Sequence, residues 1–193
     1  MSDTRDLTQL PSGLPVPEDD GAADHLPGLR LPSVPLVSTS GGSVDLSTVA
    51  GSVVVYAFPR TGVPGQAPLV DDWDSIPGAR GCTPESCGFR DHHADLAAAG
   101  AGVLGLSTQD TAYQSEAVAR LHLPFALLSD EQHALTDSIR LPTMTVGGQR
   151  LLKRITLLVT DGRVEQVWYP VFPPDTHAEE VLGWLRTQRP VVD

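Results

Sequence analysis

Val53-Val54-Val55-Tyr56-Ala57-Phe58 is an unbroken apolar run, rich in β-branched residues, that stops at Pro59. A strand with one wet face alternates polar and apolar residues. A run without polar residues needs cover on both faces, so this segment is expected at the centre of a sheet. A second run, Val103-Leu104-Gly105-Leu106, supplies a neighbour. Between the two, residues 84–99 carry Cys87, Phe89, Leu96 and several alanines with no proline beyond the first position, which predicts one helix. Strand, helix, strand is a crossover unit, and its two strands run parallel.

The remaining segments extend that unit. Residues 111–121 have a helical pattern, residues 123–128 read as a short buried strand ending at Ser129-Asp130, and residues 131–139 as a short helix. Residues 155–159, the turn Asp161-Gly162 and residues 164–168 form an antiparallel hairpin. Thr176 and Glu179 have capping-box spacing ahead of Val181, Leu182, Trp184 and Leu185, so an amphipathic helix follows. Upstream, Pro32, Pro35, Val37, the Gly41-Gly42 pair, Val44 and Leu46 suggest a short hairpin on one edge. This order describes an α/β fold with a mixed central sheet and helices on both faces.

A chain of 193 residues with 40% apolar content suits one domain, expected over residues 28–193. Residues 1–27, with Pro11, Pro15, Pro17, Asp19, Asp20, Gly21 and Pro27, read as a flexible, acidic, proline-rich arm. Six acidic residues against one basic lie before His25, so the arm holds nearly half of the net charge of -11. That charge argues against nucleic acid or an anionic membrane as a partner, because a polyanion rewards basic patches. The arm lacks a basic start, a continuous apolar stretch and a small-residue cleavage site, which gives a cytoplasmic expectation. In that compartment two cysteines are redox-active, metal-binding or buried free thiols rather than a structural bridge.

Cys82 stands just before Thr83-Pro84-Glu85, and proline is favoured in a first helical turn because its missing N–H would have been unpaired there. Cys82 is thus expected at a helix N-terminus, where unpaired amides and the helix dipole stabilise a thiolate and lower the thiol pKa. Cys87, five residues on, would lie about 140° round a regular helix and about 7.5 Å along it. The two Cα atoms would then be roughly 8.6 Å apart, beyond the reach of about 7 Å that a disulfide tolerates, so a bond between them requires local unwinding.

The segment Gly-Cys-Thr-Pro-Glu-Ser-Cys-Gly-Phe-Arg-Asp, residues 81–91, resembles the peroxiredoxin family, in particular its bacterioferritin comigratory or Q-type subgroup. Supporting stretches are residues 53–59, Gly105-Leu106-Ser107, Leu123-Pro124-Phe125 with Leu128-Ser129-Asp130, and residues 154–159 with Asp161-Gly162. The resemblance covers roughly residues 27–188. It implies a thioredoxin-like fold, a peroxidatic Cys82, a resolving Cys87 in the same chain and an active-site arginine at Arg154. The implied activity is reduction of hydrogen peroxide and organic hydroperoxides through a Cys82 sulfenic acid and a Cys82–Cys87 disulfide, recycled by thioredoxin or another thiol donor. A guanidinium beside the thiolate would favour its charged form and hold peroxide oxygens in line for attack.

The family also places a proline seven and a threonine three residues before the peroxidatic cysteine. Here those positions hold Ser75 and Ala79, while Phe58-Pro59-Arg60-Thr61 looks like the usual approach, separated from Cys82 by an insertion of about sixteen residues. Pro59, Thr61, Thr83 and Glu85 are therefore the candidates for binding substrate. The insertion, with Trp73 and Asp71, Asp72 and Asp74, is either a lid over the peroxide entrance or a surface decoration.

Two other classes stay open on sequence. The same thiols would serve a peroxide sensor or disulfide oxidoreductase with little turnover, although no Cys-x-x-Cys pair is present. Cys82, Cys87, His92 and His93 are also four potential zinc ligands, which a regular helix would spread apart. No glycine-rich phosphate loop appears, so no nucleotide or flavin is implied, and no metal or cofactor is expected. A resolving cysteine in the same chain removes the chemical need for a dimer, so a monomer is expected.

Overall fold

The structure, a computed structural model, describes residues 6–188. Its elements are β1 (Pro35–Ser38), β2 (Ser43–Asp45), β3 (Ser52–Ala57), α1 (Cys82–Asp91), α2 (His93–Ala98), β4 (Ala101–Ser107), α3 (Thr111–Leu121), β5 (Leu127–Ser129), α4 (Ala134–Ser138), β6 (Thr143–Val146), β7 (Gln149–Leu152), β8 (Ile155–Thr160), β9 (Arg163–Trp168) and α5 (His177–Gln188). A seven-stranded sheet has the order β2-β1-β5-β4-β3-β8-β9, and β6 with β7 forms a separate hairpin. The strands β3, β4 and β5 are mutually parallel, joined by helical crossovers, while β8 and β9 on one side and β1 and β2 on the other complete the sheet antiparallel.

The apolar run becomes an inner strand, as two-sided burial requires. Val54, Tyr56 and Phe58 enter one core with Phe89 of α1, Leu96 of α2, Leu121 of α3 and Leu182 of α5. Val53, Val55 and Ala57 enter the opposite core with Leu135 of α4, Ile139 and Leu26. Each of the larger apolar side chains contributes roughly 1.5–3 kcal/mol of burial energy, and the strand's period of two divides that contribution between the faces. The sheet is mixed and has helices on both faces, as the order of segments predicts. No helix among the described residues is long and apolar enough to cross a membrane.

Several boundaries differ from the sequence expectation for local reasons. The single helix expected over residues 84–99 starts at Cys82 and breaks at His92, whose φ of -97° and ψ of 7° separate α1 from α2. The strand expected from residue 123 begins only at Leu127, since Pro124 has no N–H for a ladder, although Phe125 is still buried. Helix α4 starts late because His133 takes a left-handed φ of 56°, and the Asp130 carboxylate then accepts the amides of Leu135 and Thr136. The β6–β7 hairpin was not expected at all.

The described part of the opening arm is docked. Ala23 and Leu26 are core residues, Lys153 pairs with Asp20 at 2.6 Å, and the Tyr169 hydroxyl donates to Asp20 at 2.7 Å. The boundary expected at residue 27 therefore crosses a continuous core, because a composition rich in proline and aspartate conceals two well-placed apolar anchors.

Candidate active site

Sites in α/β sheets form beyond the carboxyl ends of parallel strands, and β3 delivers the chain to that edge. Pro59 is buried and ends the strand, so that the next backbone amide, of Arg60, directs its N–H at the Cys82 sulfur. The chain then runs outward and returns at Gly81, whose φ of 111° lies where L side chains rarely go. A Cβ there would collide with Pro174 Cγ and stand 3.0 Å from Leu10 Cδ2. This turn starts α1 at Cys82. The cysteine is 3% exposed, its Sγ donating to the Ala79 carbonyl at 3.6 Å and accepting from Arg154 Nη2 at 3.3 Å.

Arg154 sits on the link between β7 and β8. Its Nη2 also reaches the carbonyls of Gly78 at 3.3 Å and Arg80 at 3.2 Å, while Nη1 makes a short ion pair with Glu85 Oε2. Glu85 is fully buried, and its Oε1, like Arg154 Nε, has no hydrogen-bond partner among the described residues. Burial pushes the Glu85 carboxyl up to about 7 against the pull of Arg154. Burial likewise pushes the Cys82 thiol up; Arg154 opposes this, Glu85 adds to it, and the Arg60 amide opposes it. The expectation that a helix start alone lowers this thiol is thus reversed. The sulfur is largely buried, and the nearest cation shares its charge with a carboxylate.

A cavity of about 530 Å³ opens over Cys82. Thr61 and Thr83 line it, whereas Pro59 and Glu85 do not. The Thr61 hydroxyl donates to Gln109 Oε1 at 3.2 Å, and its carbonyl accepts from the Tyr113 hydroxyl at 3.0 Å. Thr61 is therefore tied to the wall. Thr83, next to Cys82 and 3% exposed, has no such tether among the described residues.

The insertion is a wall of the same cavity through Gln66, Leu69, Asp71 and Trp73. It is held by a small core of its own, in which Trp73 and Ala79 meet Val146 of β6 and Leu151 of β7. Arg80, 9% exposed, ties the insertion to the opening segment by donating to the carbonyls of Asp6 at 2.7 Å and Gln9 at 3.3 Å. Leu7 of that segment also lines the cavity.

Cys87 lies further along α1, half-buried and free like Cys82. Burial pushes its thiol up, and Arg90 opposes. Arg90 pairs with Asp91 at 2.8 Å. His92 forms the break between α1 and α2, and the His93 ring lies 5.9 Å from that of Phe125. Cys82, Cys87, His92 and His93 do not converge as a metal-holding group among the described residues.

Sequence reasoning missed Arg60, Ala79, Gln109, Tyr113 and Leu7. The position of Arg60, directly after a strand-ending proline on the carboxyl edge of the sheet, was a usable signal. Ala79 acts through its carbonyl and Leu7 through a distant fold-back, and neither leaves a trace in residue type.

The Redoxin family pattern matches residues 23–182. Peroxiredoxin Q of Gentiana triflora, a chloroplastic protein, is 30% identical over 188 residues, covering 94% of this chain and 78% of its own length. Peroxiredoxin Bcp of Escherichia coli (strain K12) is 30% identical over 175 residues, covering 86% of this chain and 95% of its own. Among solved structures, Peroxidoxin BcpB from Mycobacterium tuberculosis superposes with a TM-score of 0.67 at 27% identity, covering 86% of this chain and 99% of that one. The fold is thioredoxin-like, of the peroxiredoxin kind. A Redoxin match over most of the chain, with Q-type and Bcp relatives spanning nearly all of it, means that this chain belongs to the peroxiredoxins, the thiol-dependent peroxidases.

Proposed function

We propose that Cys82 is the peroxidatic thiol of this peroxidase, that Arg154 stabilises its reaction and that Cys87 resolves the product. The observation that carries the reading is the Arg154 guanidinium 3.3 Å from a free sulfur at the first position of a helix, beneath an open cavity. The Cys82 thiol gives up its proton, and the sulfur attacks the terminal oxygen of the hydroperoxide. The O–O bond breaks, the alkoxide or hydroxide leaves and takes a proton, and Cys82 becomes a sulfenic acid. Arg154 donors near the sulfur stabilise the negative charge growing on the departing oxygen. Thr83, untethered on the cavity wall, is better placed than Thr61 to hold the peroxide. Glu85 acts through Arg154, not on substrate.

Cys87 then condenses with the sulfenic acid, releasing water and forming the disulfide. In an intact α1 the two Cα atoms are about 8.6 Å apart, so the helix opens first. Two thiols of a reductant such as thioredoxin restore both cysteines, and the cycle runs in the cytoplasm. Mass spectrometry of peroxide-treated protein tests the scheme. An intramolecular Cys82–Cys87 disulfide is expected; a persistent Cys82 sulfenic acid removes Cys87 from it, and an unoxidised Cys82 overturns it.

A further inference from the structure

Arg60 differs from every other arginine around the site. Arg154 is paired with Glu85, Arg120 with Glu116, Arg90 with Asp91 and Arg150 with Asp137. Arg80 is committed to two carbonyls of the opening segment. The Arg60 guanidinium has no carboxylate partner and no hydrogen bond among the described residues; it lies over the Tyr113 ring, 4.8 Å from its centroid. The ring is itself fixed by its hydroxyl, which donates to the Thr61 carbonyl. A cation held on an aromatic face keeps its edge donors directed outward. Its backbone amide, meanwhile, faces the Cys82 sulfur.

The space beside that guanidinium is far larger than hydrogen peroxide needs. A cavity of about 530 Å³ lies in the range of sites for organic ligands, typically about 300–1,000 Å³. Leu7, Val63, Leu69 and Trp73 give it an apolar wall. Among the described residues its one carboxylate, Asp71, is exposed, and Arg80 leaves Nε without a partner on the same lining. The net charge of -11 repels anions from a distance, but beyond about 8 Å that field is largely screened at physiological ionic strength. Inside the cavity the local guanidinium decides.

We propose that this cavity selects organic hydroperoxides bearing a carboxylate on an apolar body, and that Arg60 is the specificity-determining residue that receives the carboxylate. The inference rests on Cys82 being the peroxidatic thiol. The chemistry at sulfur is unchanged: the terminal oxygen goes to Cys82, and the rest of the substrate leaves as the corresponding alcohol. A carboxylate docked on Arg60 orients the O–OH end toward the sulfur to which the same residue's amide points.

The test compares cumene hydroperoxide carrying a para-carboxylate with the methyl ester of the same compound. The wild type is expected to favour the acid in kcat/KM by about tenfold, the scale of one charge-assisted pair, chiefly through KM. Arg60→Gln should bring the two substrates to within about twofold, and Arg60→Lys should keep part of the preference. A wild type without acid preference, or a preference that survives Arg60→Gln, overturns the proposal. The wild-type comparison decides even if the variants do not fold. Wild-type oxidation by hydrogen peroxide, measured alongside, separates the two readings. If Cys82 is oxidised but the acid is not favoured, only the role of Arg60 falls; if no peroxide oxidises Cys82, both fall.

Discussion

Cys82, Glu85 and Arg154 form a buried set with two acidic groups and one cation, and their charges compete. With Glu85 ionised, Arg154 divides its field between a carboxylate and the sulfur; with Glu85 protonated, the whole guanidinium serves the sulfur. Replacing Glu85 with glutamine should therefore move the pH midpoint of Cys82 alkylation downward, read in a Cys87→Ser background. An unmoved midpoint would show that Glu85 exerts no such field. The same residue predicts a stability effect with a definite sign. Its carboxyl rises from 4.5 to about 7 on folding, so the folded chain binds the proton more tightly. That contribution is complete below the ordinary carboxylate range and is lost as pH rises through about 7. Melting temperatures should accordingly fall more steeply over this interval in the wild type than in Glu85→Gln. Arg154→Ala should lower the rate of Cys82 oxidation by about two orders of magnitude or more, the scale seen when one donor to developing charge is lost. An unchanged rate in stopped-flow measurements would remove the arginine from the reaction.

Helix α1 holds the thiols apart, and in the proposed cycle its anchoring governs how they meet. Phe89 is fully buried and stacks on Tyr56 with centroids 4.5 Å apart, while Gly88 lies against the Asp175 carbonyl and Ala178 at the start of α5. Oxidation should free the first turns while Phe89 stays seated. Hydrogen exchange over residues 82–90 is expected to accelerate after peroxide treatment, and equal protection in both forms would exclude unwinding. Elements of this kind were largely legible in the sequence. The apolar run of β3, the helical pattern of α3 and the Asp161-Gly162 hairpin all express local chemistry that one segment carries alone. What was illegible depends on partners far along the chain. The hairpin of β6 and β7 has its apolar residues matched to Trp73, and the docking of Leu26 depends on the far side of the sheet. At the site, the resemblance pointed to Cys82 and Arg154, which the fold brings within 3.3 Å of each other. The raised thiol was not, because its cause is burial by residues distant in sequence.

At the scale of the whole molecule, both thiols of the proposed cycle belong to one chain. Sedimentation of reduced and peroxide-treated protein should give the same species near 20.5 kDa, and a disulfide-linked dimer would contradict resolution within the chain. The wall of the cavity, by contrast, is not a local possession. The inserted loop shares its small core with β6 and β7, and only Lys153 separates β7 from Arg154. The loop therefore cannot be treated as an interchangeable part. Grafted onto a relative that lacks this hairpin, it would lose the seat of Trp73. Recut in place, it would disturb the strand that carries the arginine toward the sulfur. If the proposed roles of the cavity and of Arg154 hold, substrate choice and chemical reactivity are mechanically joined in this chain, and any redesign of one has to carry the other with it.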